Sequence, residues 1–289
     1  MNIKTGLQWG VEKLKKTDSP HLDAEILLSF VTKKSREYLF TYPEKKITKD
    51  QEKKYKNFIE QRSKYEPIAY IIGYKEFYNL KFLINKKVLI PRPETELLID
   101  IAKEYISQQK KVNTATLVDI GLGSGTIAIT LKKLFPKLMV FATETSAPTI
   151  SLAKKNAKNL KTKIIIKKGD LLTPIKKDFN KYYNNLIITA NLPYLSIKEW
   201  QEARPNVKLY EPKNALVGGK YGHELYEKLF KQISGQIKNK KKYNITLFIE
   251  IGNLQKNKIT ELIKQYFKTK KFKFYKDLSG KWRVCKIEL

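Results

Sequence analysis

The chain has 289 residues, a formal net charge of +30 from 58 lysines and arginines against 28 aspartates and glutamates, and a single cysteine, Cys285. That length suffices for one large or two smaller domains whose core needs no metal or disulfide, and a lone cysteine excludes an intrachain disulfide framework and a cysteine-built metal centre, which points to a reducing, cytoplasmic setting. No stretch approaches the ~18 apolar residues of a membrane span, and Met1 to Lys16, amphipathic with Glu12 inside it, has the character of neither a secretory signal nor a transit peptide.

Residues 1–72 read as a separate, small, all-helical domain. Ser19-Pro20 is a helix start, with a hydroxyl expected to cap free amides and a proline at the first helical position. Leu22, Ile26, Leu27 and Phe30 follow at helical spacing. A second helix is expected from about Thr48 to Tyr65, with Tyr55, Phe58 and Ile59 on one face. From Tyr70 the period changes to alternation, through Phe77, Leu80, Phe82 and Ile84 and then Val88 to Ile90. With Asn79 and Asn85-Lys86 as turns, this predicts a β-hairpin linker over residues 73–90.

Pro91-Arg92-Pro93-Glu94-Thr95 then opens a third region, residues 91–289, with a helix through Glu96, Leu97, Ile99 and Ala102. Strands are expected at Thr116 to Ile120, Met139 to Glu144, Ile164 to Lys168, Leu186 to Ala190 and Ile245 to Ile251. Helices lie between them, near Ile127 to Phe135, Pro148 to Leu160 and His223 to Ile237. This alternation predicts an α/β domain with a parallel, doubly wound sheet. A helix near Leu254 to Phe267 and an edge hairpin, Lys271 to Tyr275 with Trp282 to Ile287, close the chain, and the lysine-rich patch Lys238 to Lys242 reads as a solvated loop.

The lysines are spread from Lys4 to Lys286 among abundant isoleucine and asparagine, as an A+T-rich coding bias would produce. A basic surface working near RNA or ribosomes is the other reading.

Gly121-Leu122-Gly123-Ser124-Gly125 follows a strand ending near Asp119 and precedes a helix, so the turn can be tight and its backbone can approach a ligand with no Cβ in the way. The spacing G-x-G-x-G departs from the G-x-G-x-x-G that holds a dinucleotide pyrophosphate, which disfavours a nicotinamide or flavin cofactor. Glu144, about twenty residues on, ends the next strand where a carboxylate can accept from both ribose hydroxyls. After the third strand, Asp170 can face an adenine amino group while Leu171 packs on the ring.

The sharpest signal is Asn191-Leu192-Pro193-Tyr194, at the carboxyl end of a strand of the same sheet, where open α/β folds bind ligands. A planar amide or aromatic amine nitrogen has a delocalised lone pair and is a poor nucleophile. The Asn191 side-chain oxygen and the Leu192 carbonyl can hold both of its hydrogens, restore lone-pair density and offset the positive charge that develops as a methyl arrives. Pro193 would fix the turn and Tyr194 would lie against the planar group. Asn191, Pro193 and Tyr194 are therefore the expected catalytic residues, and the expected chemistry is methyl transfer from S-adenosyl-L-methionine to nitrogen. No metal is expected, because His21 and His223 lack neighbouring ligand patterns.

These residues resemble the protein-(glutamine-N5) methyltransferases of peptide chain release factors, historically the HemK family, and the resemblance spans essentially the whole chain. It is carried by Ser19 to Leu28, by Pro67 to Gly73 with Glu76-Phe77-Tyr78, and by Leu89-Ile90-Pro91-Arg92-Pro93-Glu94-Thr95-Glu96. The resemblance implies a Rossmann-like class I S-adenosylmethionine-dependent fold with a seven-stranded sheet, a release-factor partner, and methylation of the glutamine in that partner's Gly-Gly-Gln loop; a monomer whose N-terminal helices recognise that partner is the expectation. Gly121 to Gly125, Glu144, Leu171 and Asn191 match its cofactor positions, and Asn191 to Tyr194 its substrate-glutamine motif.

Two departures are visible. Leu192 stands where the family usually has proline, with little effect expected from its side chain beyond turn rigidity, and Glu144 stands where many relatives have aspartate. Asn-Leu-Pro-Tyr is also similar to the motif of ribosomal RNA adenine dimethyltransferases, but those place the glycine loop near the N-terminus and a helical domain last. An N6-adenine methyltransferase acting on RNA or DNA, and a non-catalytic RNA- or ribosome-binding module, are the alternative readings.

Overall fold

In the computed structural model, residues 1–109, 115–178, 185–237, 244–267, 269 and 271–289 are described. They divide into two compact units, Met1–Tyr74 with Arg204–Tyr210, and Lys75–Ala203 with Glu211–Leu289.

The first unit is helical: α1 (Ile3–Lys13), α2 (Pro20–Thr32), α3 (Arg36–Thr41), α4 (Lys49–Ser63) and α5 (Ile68–Ile72). Capping boxes start α1 at Asn2 and α4 at Thr48, satisfying amides that the first turn leaves free. Ser19 makes no such cap. Its hydroxyl donates instead to Asp23 at 3.0 Å, a carboxylate that is buried and paired with Arg62 at 2.7 Å, so the serine serves the ion pair. The buried face of α2 is accordingly Ala24, Leu27, Leu28 and Val31, and Leu22 is exposed. These residues pack with Tyr55 and Ile59 of α4 into the unit's core.

The second unit, from Lys75, opens with β1 (Tyr74–Phe77), paired with β2 (Leu80–Leu83). Tyr78 and Asn79 turn between them with φ of +50° and +57°, the paired left-handed geometry that a two-residue hairpin requires. Val88 to Ile90, expected as a strand, are not one. Val88 and Ile90 are nonetheless buried, their apolar run serving irregular packing.

Seven strands then form the main sheet, in the order β10-β11-β9-β6-β3-β4-β5. These are β3 (Ala115–Ile120), β4 (Met139–Glu144), β5 (Ile165–Lys168), β6 (Asn185–Ala190), β9 (Ile245–Glu250), β10 (Phe272–Lys276) and β11 (Trp282–Glu288). Strands β5, β4, β3, β6 and β9 run parallel, whereas β11 and β10 add antiparallel. Every residue of β3 and of β9 is buried, as a parallel strand covered on both faces must be. The helices are α6 (Thr95–Ser107), α7 (Thr126–Leu134), α8 (Ala147–Asn159), α11 (Glu224–Ile237) and α12 (Lys256–Phe267).

One face of the sheet, with Val118, Ile120, Ile188 and Ile249, packs on Leu229, Phe230 and Ile233 of α11 and on Leu262 and Ile263 of α12. Each such side chain contributes about 1.5–3 kcal/mol on burial.

Between β6 and α11 the chain forms short pieces that no periodicity announced. They are β7 (Leu195–Ser196), α9 (Ile197–Gln201), α10 (Pro205–Tyr210) and β8 (Val217–Gly219). The expected loop at Lys238 to Lys242 lies outside the described residues.

Candidate functional site

Parallel alignment of β4, β3, β6 and β9 brings their carboxyl ends to one edge of the sheet, and a cavity of about 340 Å³ opens there. Its floor is the glycine loop. Gly121, Gly123 and Gly125 have φ of +78°, +55° and +89°, values at which an L side chain is strained. The Gly121 and Leu122 amides both donate to the Thr143 carbonyl at 3.0 Å, and the Gly125 amide donates to the Leu122 carbonyl at 2.9 Å, which closes the turn. From the far side, Asn156 Nδ2 donates to the Ser124 carbonyl at 2.8 Å. Gly121 to Ser124 line the cavity, whereas Gly125 stands behind them as the N-cap of α7.

Glu144, at the end of β4, also lines the cavity. It accepts from the Gly123 amide at 3.2 Å on one oxygen, and from the Thr145 and Ser146 amides at 2.9 and 3.0 Å on the other. The carboxylate is thus tied to the loop and to the start of α8 while keeping lone pairs toward the cavity. Asp170 and Leu171 line the opposite wall. Asp170 pairs with Lys228 of α11 at 2.9 Å, and Leu171, buried, sits at φ +46°.

Asn191, Leu192 and Pro193 complete the cavity wall. Ala190 pairs with Ile249, so the next residues, Asn191 and Glu250, lie side by side at the ends of adjacent strands. The Asn191 amide donates to Glu250 Oε2 at 2.9 Å and to Thr95 Oγ1 at 3.1 Å. The Leu192 amide donates to the Tyr226 hydroxyl at 3.2 Å, which itself donates to the Glu250 carbonyl.

The Leu192 side chain does more than stiffen a turn. It is buried, and its Cδ2 stands 3.0 Å from where a Cβ on Gly121 would be, so it props the glycine loop. Tyr194, expected against the substrate's planar group, is not among the cavity-lining residues. Its hydroxyl donates to Glu250 Oε1 at 3.4 Å and its carbonyl accepts from Gln255 at 2.8 Å. Burial and the neighbouring Glu250 charge push its phenol pKa up.

Two buried carboxyls flank the site. Burial pushes Asp119, beneath the glycine loop, up to about 7, with the Thr189 hydroxyl and the Ala128 amide opposing the shift. Burial also pushes Glu250 up to about 7, against the hydrogen bonds of Thr95 and Tyr194 and the charge of Arg283.

Sequence reading missed Thr95, Tyr226 and Glu250. The usable signals were a carboxylate closing the otherwise apolar run Ile245 to Ile251, and the glycines at 218 and 222. A Cβ at Gly218 would meet the Pro193 carbonyl at 2.2 Å, and one at Gly222 the Tyr194 carbonyl at 2.3 Å, so only glycine lets that segment lie on the motif. Among the described residues no group of His, Cys, Asp and Glu could hold a metal, and no helix is long and apolar enough to cross a membrane.

The residues fit S-adenosylmethionine. Bare backbone at Gly121 and Gly123, the Glu144 carboxylate, and the apolar Leu122, Ile127 and Leu171 all line one cavity.

Two family models match the chain, the PrmC N-terminal domain over residues 6–73 and the methyltransferase small domain over residues 95–195. The chain is similar to the release factor glutamine methyltransferase of Bacillus cereus, 34% identical with 100% of each chain covered. It is 36% identical to that of Buchnera aphidicola subsp. Schizaphis graminum, with 98% of each covered. Among solved structures, the hMettl16 catalytic domain in complex with MAT2A 3'UTR hairpin 6 shares the fold at TM-score 0.55 and 17% identity, covering 83% of this chain and 81% of that one. Human methyltransferase 10 domain containing protein does so at TM-score 0.51 and 18% identity, covering 72% and 88%.

Proposed function

The chain belongs to the release factor glutamine methyltransferase family, and on that premise we propose that it methylates the side-chain nitrogen of the glutamine in a release factor's Gly-Gly-Gln loop. The observation that carries the reading is the anchoring of Asn191. With both hydrogens of its amide engaged by Glu250 and Thr95, its oxygen is the end left for a ligand, on the wall of the cavity that Glu144 and the glycine loop share.

S-adenosylmethionine, when bound, supplies a methyl group made electrophilic by its sulfonium. The bare backbone at Gly121 and Gly123 lets that cofactor come close, Glu144 accepts from its ribose hydroxyls, and Leu122 and Leu171 cover its apolar surface. The free oxygen of Asp170 accepts from the adenine amino group.

Asn191 Oδ1 and the Leu192 carbonyl would each accept a hydrogen bond from the glutamine NH2, which would raise electron density on the nitrogen and fix its orientation in the cavity. The same oxygens stabilise the positive charge that grows on nitrogen. No strong base is needed first: the N–C bond would form as the sulfonium S–C bond breaks and the sulfur leaves as a neutral thioether, and the amide proton, acidic only from then on, would pass to solvent. Pro193 fixes the turn, and Tyr194, its hydroxyl held by Glu250, lies against the planar amide of the substrate.

The domain assignment belongs to this reading. Residues 1–72 recognise the release factor, residues 73–90 link, and residues 91–289 do the chemistry. The enzyme acts as a monomer in the cytoplasm, where translation terminates, and its lysine-rich surface adds at most weak contact to nucleic acid or the ribosome.

Incubation with labelled S-adenosylmethionine and purified release factor tests this reading. Label on the Gly-Gly-Gln glutamine, located by mass spectrometry, is the expected result. Label on RNA alone would replace the reading with that of an N6-adenine methyltransferase, and no cofactor binding in calorimetry would leave a binding module.

A further inference from the structure

A carboxamide is nearly symmetric in shape but opposite in polarity at its two ends. Turned over, Asn191 would aim N–H at the substrate's N–H, and two donors would face each other. Something must therefore decide which end faces the cavity.

Glu250 is 1% exposed, at the end of β9, and donors converge on it from separate elements. Asn191 Nδ2 reaches Oε2 at 2.9 Å and the Tyr194 hydroxyl reaches Oε1 at 3.4 Å. Thr95, at the start of α6, accepts from Asn191 and opposes the upward pKa shift of the same carboxylate. The charged and titratable groups around Glu250 are Glu94 before α6, Arg283 on β11 and Tyr194, with Tyr226 of α11 bonded to its carbonyl.

We propose that Glu250 is a positioning residue that sets the polarity of the Asn191 carboxamide, and that it does so only as a carboxylate. Ionised, Glu250 can accept and never donate, so it pins the amide NH2 and turns Oδ1 toward the substrate. Protonated, it becomes a donor that the asparagine oxygen can accept from, and the amide is free to turn over.

Burial places that change close to pH 7, so turnover is present above it and lost as pH falls through it. Asp119 is raised to a similar value, and substitution tells the two apart. The inference rests on the reading of Asn191 as the acceptor for the substrate amide.

The test compares wild type, Glu250→Gln, Thr95→Val and Asn191→Ala. It measures kcat, KM for cofactor and for release factor between about pH 5 and 9, and the Asn191 side-chain 15N–1H signals, assigned by their loss in Asn191→Ala. In wild type, kcat falls on the acid side with a midpoint near 7, and the Asn191 signals move with the same midpoint. Glu250→Gln lowers kcat by roughly a hundredfold, leaves KM for the cofactor unchanged and abolishes the acid limb. Thr95→Val lowers kcat and keeps the limb.

Wild-type kcat in Glu250→Gln, an acid limb that survives there because Asp119 is its source, or Asn191 signals that do not titrate in wild type would each overturn the proposal. If Glu250→Gln does not fold, Thr95→Val and the Asn191 signals decide. Full turnover by Asn191→Ala would sink the parent reading, whereas an inactive Asn191→Ala beside an unimpaired Glu250→Gln would sink this inference alone.

Discussion

Removing one oxygen atom from Tyr226 should loosen the whole substrate motif. The residue is fully buried, and its hydroxyl stands between the Leu192 amide, 3.2 Å away, and the Glu250 carbonyl. In Tyr226→Phe the Leu192 N–H stays buried with no acceptor, which costs about 1–3 kcal/mol, and the Glu250 carbonyl loses a donor worth about 1 kcal/mol. The expected loss is about 2–4 kcal/mol. A domain with about 5–15 kcal/mol of stability survives it, so urea unfolding can measure it as a lower midpoint at unchanged slope. Because the Leu192 amide sits in the same residue as the proposed carbonyl acceptor, kcat should fall as well while cofactor affinity holds. A stability change below about 0.5 kcal/mol, with kcat intact, would refute the claim that this hydroxyl ties the motif to β9.

Gly125→Ala should destabilise the protein and weaken cofactor binding. Its Cβ would lie 2.6 Å from Ile129 Cδ1 at φ +89°, costing about 1–2 kcal/mol in backbone geometry and about 1–3 kcal/mol in overpacking, as thermal unfolding and calorimetry would show. Stability should also decline as pH rises from 4 to 8. Asp119 moves from 3.8 unfolded to about 7 folded, so its contribution is intact below pH 4 and lost as pH rises through 7. About 3 pH units at 1.36 kcal/mol each give a loss of about 4 kcal/mol. Asp119→Asn should flatten that part of the profile in urea titrations, and an unchanged slope would count against a buried, protonatable Asp119.

The elements most open to sequence reading were those whose pattern is set by burial on both faces. Thr116 to Ile120 and Ile245 to Ile251 are apolar runs bounded by turn residues, and they became the buried β3 and β9. Reading failed where a side chain had two possible partners. Ser19 looks like a cap, but a buried Asp23–Arg62 pair competes for its hydroxyl. Leu22 fits the helical period and yet is exposed, because Asp23 and Ala24 set the buried face of α2. Val88 to Ile90 alternate with nothing to pair with, and they pack as irregular chain.

At the site, Gly121 to Ser124, Glu144, Asp170, Leu171 and Asn191 to Pro193 meet in one cavity, because each ends a strand of one parallel sheet. That geometry follows from topology and is legible as spacing. The groups that hold Asn191 are not. Thr95, Tyr226 and Glu250 come from two helices and a distant strand, and nothing local marks a threonine after Pro-Glu or a tyrosine inside an amphipathic helix as a partner of residue 191. Tyr194 shows a further partner that spacing could not announce: its hydroxyl donates to Glu250.

The most direct measurement is the single-turnover rate of methyl transfer to a release factor by Asn191→Ala beside wild type, with cofactor affinity taken on the same preparations. Loss of the carboxamide acceptor should slow transfer by roughly a hundred- to a thousandfold and leave cofactor binding weakened but measurable. A variant that transfers the methyl group at the wild-type rate would contradict the account.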